Sequence, residues 1–229
     1  MPTLKEMIYD VMNIAYGGEQ SDDSRVSEYQ VAYWIKQQRA VLVRNELANR
    51  NKIPTSFIQY LEEISLDEVD LNNDFNSLTA GINIFKSNKR LPETIQRSGK
   101  NTIIAVEAAD HSESYSETTF FRRKYNAFNK YTATEGRWWL QDGYLYLTSN
   151  AMIKPAIIVS GIFEDPEEAA NFYIPTGEPA FDWDSKYPVS ASMADTITNI
   201  ILKNKLGITR QMPVDDSNNS DEQQANEPS

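Results

Sequence analysis

The fold of this chain is decided by residues 137–147, which read RWWLQDGYLYL. Two short runs rich in aromatic and aliphatic side chains lie on either side of Gln141-Asp142-Gly143. Glycine takes a positive φ at no steric cost, and Asp-Gly between two such runs is a strong local indication of a β-hairpin. Successive side chains of a strand point to opposite faces, so we expect Trp138 and Trp139 on different sides of the sheet.

Further runs with the composition of β-strands extend outward from the hairpin in both directions. Residues 82–85, 102–106 and 156–163 are rich in the β-branched and aromatic side chains that favour strands. Another short run of alternating character begins at Leu61. Residues 61–165 are therefore predicted to form one β domain, which is an antiparallel sandwich or a small barrel.

Helical patterns precede this β domain. Apolar residues recur at helical spacing from Thr3 to Ala15, and Thr3 with Glu6 forms a capping box. A second helix begins at Ser27, where Gln30 completes a similar box. Residues 1–60 are assigned to an N-terminal helical region on these signals. The apolar stripe of the second helix is predicted to comprise Val31, Trp34, Ile35, Leu42 and Val41.

Helical signals return after the β domain, over residues 166–208. Asp165 before Pro166 is typical of a helix start, and a last helix is predicted from Ser190 to Leu206. Each terminal helix has an apolar stripe that must be covered, so these helices are expected to pack on the N-terminal ones. The fold class is therefore predicted to be α+β, with helices from both ends packed together and a central β domain.

The remaining residues, 209–229, are predicted to be a disordered acidic tail. From Pro213 to Ser229 there are five acidic residues and no lysine or arginine. This stretch holds almost no aliphatic side chains after Val214, so it buries too little surface to offset its ordering entropy.

Composition excludes several kinds of function. The net charge is −11, of which residues 213–229 contribute −5, so the body of the chain is also acidic and does not attract nucleic acid through bulk charge. The chain has no cysteine and a single histidine, which removes disulfides, thiolate chemistry and most zinc sites. No apolar run is long enough to cross a bilayer, and the first residues lack a signal-peptide pattern. We expect no membrane association.

Few residues are arranged for chemistry. Asp70, Asn72 and Asp74 match the start of an EF-hand loop, but Phe75 and Gly81 stand where the turn glycine and the bidentate glutamate belong. The pair Asp110-His111 is the only material for a hydrolase or nuclease, and no nucleophile motif or phosphate-binding loop accompanies it. The chain is therefore expected not to be an enzyme and to have no catalytic, cofactor-binding or metal-binding residues.

Basic and aromatic side chains are the candidates for a partner interface. Lys36, Arg39 and Arg44, with Arg50, fall outside the apolar stripe of the second helix, where they form either a solvated face or a docking face for an acidic partner. One of Trp138 and Trp139 is expected in the core and the other at a contact between subunits. The interface candidates are thus Lys36, Arg39, Arg44, Trp138, Trp139, Arg122 and Arg123.

Three blocks of sequence carry a resemblance to structural proteins of crAss-like phages. The first is SEYQVAYWIKQQRAVL at 27–42, the second is GIFEDPEEAA at 161–170, and the third is FDWDSKYP at 181–188, followed by Met193. A fourth element is the run from Asp215 to Asn219. Together these blocks span most of the chain, and none of them is a catalytic motif.

In that family such proteins are similar to the head-to-tail adaptors, or gatekeepers, of short-tailed phages. The resemblance implies a dodecameric homo-oligomeric ring in the virion, assembled in the host cytoplasm and bound beneath the portal protein beside neighbouring tail rings. Packaged DNA would pass through its channel without sequence-specific binding. An alternative function is a carbohydrate-binding β module, which requires Trp138 or Trp139 as an exposed platform.

Overall fold

The computed structural model of the chain describes residues 1–17, 26–49, 52–69, 83–97, 99–119, 121–122, 135–149, 155–172 and 181–208. The described helices are α1 (Leu4–Tyr16), α2 (Glu28–Asn49), α3 (Pro166–Ala170) and α4 (Ala191–Lys205), with a single 3-10 turn at Thr55–Phe57. The described strands are β1 (Gln59–Glu68), β2 (Asn83–Ser87), β3 (Ile103–Ala108), β4 (Ser114–Glu117), β5 (Arg137–Gln141), β6 (Tyr144–Ser149) and β7 (Ala156–Gly161).

The helices begin and end where their local sequence signals place them. Thr3 caps α1 by accepting a hydrogen bond from the Glu6 amide at 3.1 Å, and the Glu6 carboxylate accepts one from the Thr3 amide at 2.9 Å. Gly17, at φ 72°, ends this helix in the left-handed conformation. Ser190 caps α4 through the Met193 amide. The predicted capping box of Thr3 and Glu6 is confirmed, and the last helix begins at the predicted position.

The seven strands close into a barrel in the order β1-β2-β6-β5-β4-β3-β7, in which β7 pairs back onto β1. The prediction of an α+β protein is confirmed, and of the two predicted β architectures the barrel is the one observed. The prediction of a purely antiparallel sheet is wrong at one place, because β4 and β5 run parallel. A parallel pair needs a long crossover, and the chain between these two strands, from Thr118 to Gly136, is long enough to supply it.

The hairpin at residues 137–147 is confirmed as β5 and β6. Asp142 and Gly143 form a two-residue turn with φ of 53° and 79°, the left-handed pair that matches the twist of a hairpin. Trp138 opposes Leu147, and Trp139 opposes Tyr146. The two tryptophans point to opposite faces of the sheet, as expected from the strand period.

Three buried clusters stabilise the protein. The first joins α1, α2 and α4 and includes Val11, Ile35 and Ile197. The second fills the barrel and includes Trp138 and Val159. The third lies on the opposite face of β2, β5 and β6 and consists of Val69, Ile84, Trp139 and Tyr146. The domain boundaries predicted at residues 60, 165 and 208 stay predictions, and the acidic tail and the loop around Asp70 and Asp74 lie outside the described residues.

The turn of the hairpin provides a test of this fold. Gly143→Ala should lower the free energy of unfolding by about 1–2 kcal/mol, because a side chain disfavours the left-handed conformation. The matched control is Asp142→Asn, which should change stability by less than about 0.5 kcal/mol since asparagine tolerates a positive φ. Urea unfolding followed by tryptophan fluorescence measures both. Equal effects of the two changes would mean that the turn does not need glycine.

Candidate functional site at the joint of helices and barrel

Three basic side chains of α2 were predicted to face solvent or a partner. In the structure they form hydrogen bonds to other residues of the same chain. Lys36, Arg39 and Arg44 each bond to a segment of residues 163–167, which follows the last barrel strand. That segment is acidic, with Glu164, Asp165 and Glu167, and Glu168 follows it. The acidic partner expected for this face of α2 is therefore supplied within the same chain.

We call the contact of α2 with residues 163–167 and Pro188 the joint. Arg39 is at its centre and is fully buried, with no exposed surface. Its Nε donates to the Pro188 carbonyl at 3.1 Å, and its Nη1 donates to the carbonyls of Phe163 at 2.9 Å and Glu164 at 3.4 Å. The prediction that Arg39 lies on the surface is wrong. A guanidinium has five donors in a fixed fork, so it can join carbonyls from two segments that leave regular structure.

Tyr187 lies beside this guanidinium in the interior, with its ring centroid 5.9 Å from the Arg39 Cζ. Burial lowers the pKa of Arg39, against the opposing influence of Tyr187 and Asp165, but an arginine stays charged in proteins. Burial raises the pKa of Tyr187 above its ordinary value, which keeps the phenol neutral. Arg39 Nη2 and the Tyr187 hydroxyl have no hydrogen-bond partner within the part of the chain that the structure describes.

Lys36 forms the second link. Its Nζ lies 2.8 Å from Asp165 Oδ2 and 3.4 Å from Glu167 Oε2, and all three side chains are partly buried. Burial acts to lower the pKa of Lys36, but the hydrogen bond and the charge of Asp165, with those of Glu167, outweigh it and leave the pKa raised. Asp165 also caps α3 by accepting from the Glu167 amide at 2.9 Å. One carboxylate thus starts a helix and fixes it to α2.

Arg44 forms a third, more exposed link, since its Nη2 lies 2.8 Å from Glu164 Oε1. This pair lines one side of an open depression of about 770 Å³ beside the hairpin turn at Asp142 and Gly143. The depression is also lined by Leu91, Glu93 and Gln96. Its lining thus combines the Arg44–Glu164 ion pair with amide and apolar groups.

The segment before α4 completes the joint. Trp183 is partly buried against the helical cluster, with its ring 5.2 Å from that of Tyr29 on α2. Asp184 forms an exposed ion pair with Lys5 at the start of α1 at 2.8 Å. The three sequence blocks at 27–42, 161–170 and 181–188 therefore meet in space. Arg39 of the first block bonds directly to Phe163 of the second and Pro188 of the third.

The family model described as phage tail ring protein 2 matches residues 6–225. The chain belongs to this family. It is a crAss-like phage ring or tail protein, and hence a virion component. The predicted relationship to crAss-like phage structural proteins is confirmed, and the blocks that carried it are those that join the helices to the barrel of this ring protein. No curated protein matches the chain significantly in sequence.

The two tryptophans of the ring protein are both buried, with 4% of Trp138 and 2% of Trp139 exposed. Trp138 lies inside the barrel and donates to the Tyr115 carbonyl at 3.0 Å. Trp139 stacks on Tyr146 at 5.3 Å on the other face. The expectation that one of them is available to a partner is therefore wrong, because the outer face of this sheet has its own buried cluster. Neither offers the exposed platform that a carbohydrate-binding module requires.

The structure gives the following outcome for the other predicted candidates. Arg122 is exposed, and Arg123 and Arg50 lie outside the described residues. His111 is exposed at the tip between β3 and β4, with its Nδ1 3.0 Å from Glu107 Oε2, while Asp110 accepts from the Ser112 amide at 3.1 Å. Among the described residues no group of three or more histidine and carboxylate side chains is placed to hold a metal ion.

Within the same described ranges, no helix has the length and apolar character needed to cross a membrane.

Sequence reasoning missed a second set of basic side chains, around Tyr144. The run KSNKR at 86–90 is a local signal for it, but it continues directly from the strand predicted at residues 82–85 and was not singled out. Lys86 Nζ lies 4.2 Å and Arg90 Cζ 5.5 Å from the centroid of the Tyr144 ring.

Substitutions of two arginines of α2 should have very different effects on the free energy of unfolding. Arg39→Ala should lower the free energy of unfolding by about 3 kcal/mol or more, because it leaves a cavity and buried carbonyls without donors. Arg44→Ala removes an exposed ion pair and should cost less than about 1 kcal/mol. Arg39→Met keeps most of the volume, so wild-type stability in that variant would show that the hydrogen bonds of Arg39 do not stabilise the joint. Chemical denaturation at neutral pH measures all three.

The buried phenol of Tyr187 should make the folded protein less stable at alkaline pH. The unfolded chain releases the phenol proton near pH 10, whereas the folded chain keeps it because burial raises the pKa of Tyr187. Above that pH the folded state binds more protons, so stability falls by up to about 1.4 kcal/mol per pH unit from this group. Tyr187→Phe should show a smaller fall between pH 9 and pH 11 in urea titrations, with no loss at pH 7. An identical fall in both proteins would contradict this assignment.

Proposed function

We propose that this ring protein is a non-enzymatic structural subunit that packs side by side with identical copies at the head-to-tail junction of the virion. In this role twelve copies form a ring beneath the portal protein, contact neighbouring tail rings and continue the channel through which packaged DNA passes. Assembly takes place in the host cytoplasm. Membership of a tail ring family supports the ring, and the surface of α2 supports contacts between copies.

The observation that carries the proposal is that α2 has apolar side chains on two faces. The inner face buries Val31, Ile35 and Val43 against the other helices. On the outer face Tyr29 is 77% exposed, Tyr33 56% and Val41 49%. Tyr29 and Tyr33 are one turn apart, and Val41 follows two turns later, so they form one ridge along the helix.

An exposed aromatic ridge of this kind is typical of a contact with another protein. Tyrosines are enriched in interfaces because they contribute a large apolar area and a hydroxyl at low cost in side-chain entropy. A ring requires a heterologous contact, in which one face of a copy binds a different face of the next. We assign the outer ridge of α2 to one side of that contact, and a second copy of the chain as its partner.

The other side of the contact is assigned to the groove between α1 and α4. It is lined by hydrogen-bonding side chains that include Asp10, Asn13, Asp195 and Asn199. Their oxygen atoms are acceptors for the hydroxyl groups of Tyr29 and Tyr33. The groove has about 490 Å³ of space, which can take two tyrosine side chains of an incoming helix.

The rest of the molecule is compatible with a structural role. The buried guanidinium and the ion pairs of Lys36 and Arg44 hold the helices on the barrel, so that a subunit presents its two faces in a fixed orientation. The net charge of −11 opposes binding of the DNA backbone to a channel wall, which lets DNA move. His111, the single histidine of the sequence, is exposed at a hairpin tip.

The assembly test uses the outer ridge. Tyr29→Ser with Tyr33→Ser should weaken association of copies at least tenfold, because two interface aromatics lose their buried area. The control is Tyr60→Ser, which removes an equally exposed tyrosine from β1 and should leave association unchanged. Light scattering and mass photometry, with and without portal protein, measure both. A wild-type chain that stays monomeric and binds neither portal nor a neighbouring ring would overturn the proposed function.

A further inference from the structure

The outer face of the barrel carries two cations for which the described residues supply no carboxylate partner. We define the basic–aromatic patch as Lys86, Arg90 and Tyr144. Lys86 extends from β2 over the Tyr144 ring, and Arg90 approaches the same ring from the segment after β2. The Arg90 side chain also lies against the turn, since a Cβ on Gly143 would stand 3.7 Å from the Arg90 Cδ. Both cations are thus held in place by packing.

The two positive charges of the patch repel one another. Their distances of 4.2 and 5.5 Å from a common ring centroid put them within about 10 Å of each other, close to the Debye length at physiological salt. Neither cation forms an ion pair with any carboxylate in the described ranges of the chain, including the carboxylate of Asp142 in the adjacent turn. Lys5, Lys36 and Arg44 all have such partners. An anionic group bound at the patch would relieve this repulsion.

The chain contains a segment with the matching charge. Residues 213–229 have Asp215, Asp216, Asp221, Glu222 and Glu227 and no basic residue. They are joined to the described structure at Ile208, and the 21 residues that follow reach up to about 70 Å when extended. Because the segment is covalently attached and has this reach and charge, it is the occupant of the patch that we consider first.

Nucleic acid is the other polyanion that such a patch fits, but it is disfavoured. A duplex approaching the patch meets a chain of net charge −11, and two cations release too few counterions to offset that repulsion. The segment carries five negative charges, so the remaining −6 of the chain repels it less than it repels a duplex, which has one phosphate charge about every 1.7 Å. The aromatic ring between the cations also suits carboxylates on short side chains, which can lie at its positive edge.

We propose that the acidic segment 213–229 docks intramolecularly on the basic–aromatic patch formed by Lys86, Arg90 and Tyr144. The docked segment neutralises the patch and keeps phosphate groups of nucleic acid away from it. This contact does not depend on ring formation, so it can hold or fail separately from the proposed function.

The experiment uses the full-length chain with a nitroxide label on Ser220→Cys, which is the only thiol because the natural sequence has no cysteine. Amide signals of residues 86–91 and 142–145 should lose intensity through paramagnetic broadening. The loss should disappear in Lys86→Glu with Arg90→Glu, and in the milder pair Lys86→Gln with Arg90→Gln. It should also weaken in about 0.5 M salt, where screening acts over only ~4 Å.

The matched control is Lys52→Glu with Lys100→Glu, which makes the same change in net charge at two exposed lysines outside the patch and should keep the broadening. Three outcomes would overturn the proposal. The first is equal broadening in the patch variants and the control. The second is broadening seen only when labelled protein is mixed with unlabelled isotope-enriched protein, which would assign the segment to a neighbouring copy. The third is no broadening together with shifts of the same amides on adding a DNA duplex, which would make the patch a nucleic-acid surface.

Discussion

A single buried guanidinium determines how the two halves of this protein fit together. Arg39 projects from α2 and donates to carbonyls at residues that are more than a hundred positions away in sequence, at Phe163, Glu164 and Pro188. These carbonyls belong to the segment after β7, which keeps an isolated bridge to Thr94, and to the segment that precedes α4. Burying a charge is costly unless it is hydrogen-bonded, so the helices and the barrel must keep this relative arrangement for the charge to stay satisfied.

The ion pairs around the guanidinium follow from the same constraint. Once Arg39 fixes the end of β7 against α2, Glu164 and Asp165 come within reach of Arg44 and Lys36. The acidic character of this segment, which on its own would repel the acidic remainder of the chain, is thereby neutralised locally. The basic residues of α2 bond to this segment. The large side chains that its outer face still exposes to solvent include the aromatic rings of Tyr29 and Tyr33.

That division of surfaces connects the fold with the role of a tail ring protein. A ring subunit acts through contacts with copies of itself and with neighbours, and such contacts need a rigid body with distinct faces. In the ring that we propose, the joint would supply rigidity, the outer ridge of α2 one apolar face, and the groove between α1 and α4 a polar one. The three blocks of sequence that relate the chain to its family are those that build the joint, which explains why they carry no catalytic motif.

The sequence by itself determined the helix caps, the hairpin at residues 137–147, the α+β class and the family. Each of these features depends on residues close together in the chain: Thr3 with Glu6, Ser190 with Met193, or Asp142 with Gly143. Caps and turns arise from backbone conformation and short-range hydrogen bonds, so they can be predicted from a short stretch of sequence. The sequence blocks that carry the family resemblance can likewise be recognised without knowledge of the fold.

Only the tertiary structure decided where the basic and aromatic side chains of the candidate site lie. A helical period places Lys36, Arg39 and Arg44 outside the apolar stripe, but it does not say whether another part of the chain covers them. Strand alternation separates Trp138 from Trp139 and still does not reveal a second buried cluster on the outer face. Closure of the barrel, the one parallel strand pair and the pairing of α2 with residues 163–167 all depend on contacts between distant segments. The free energy of such contacts is fixed by which surfaces meet, and this information is not contained in any local pattern.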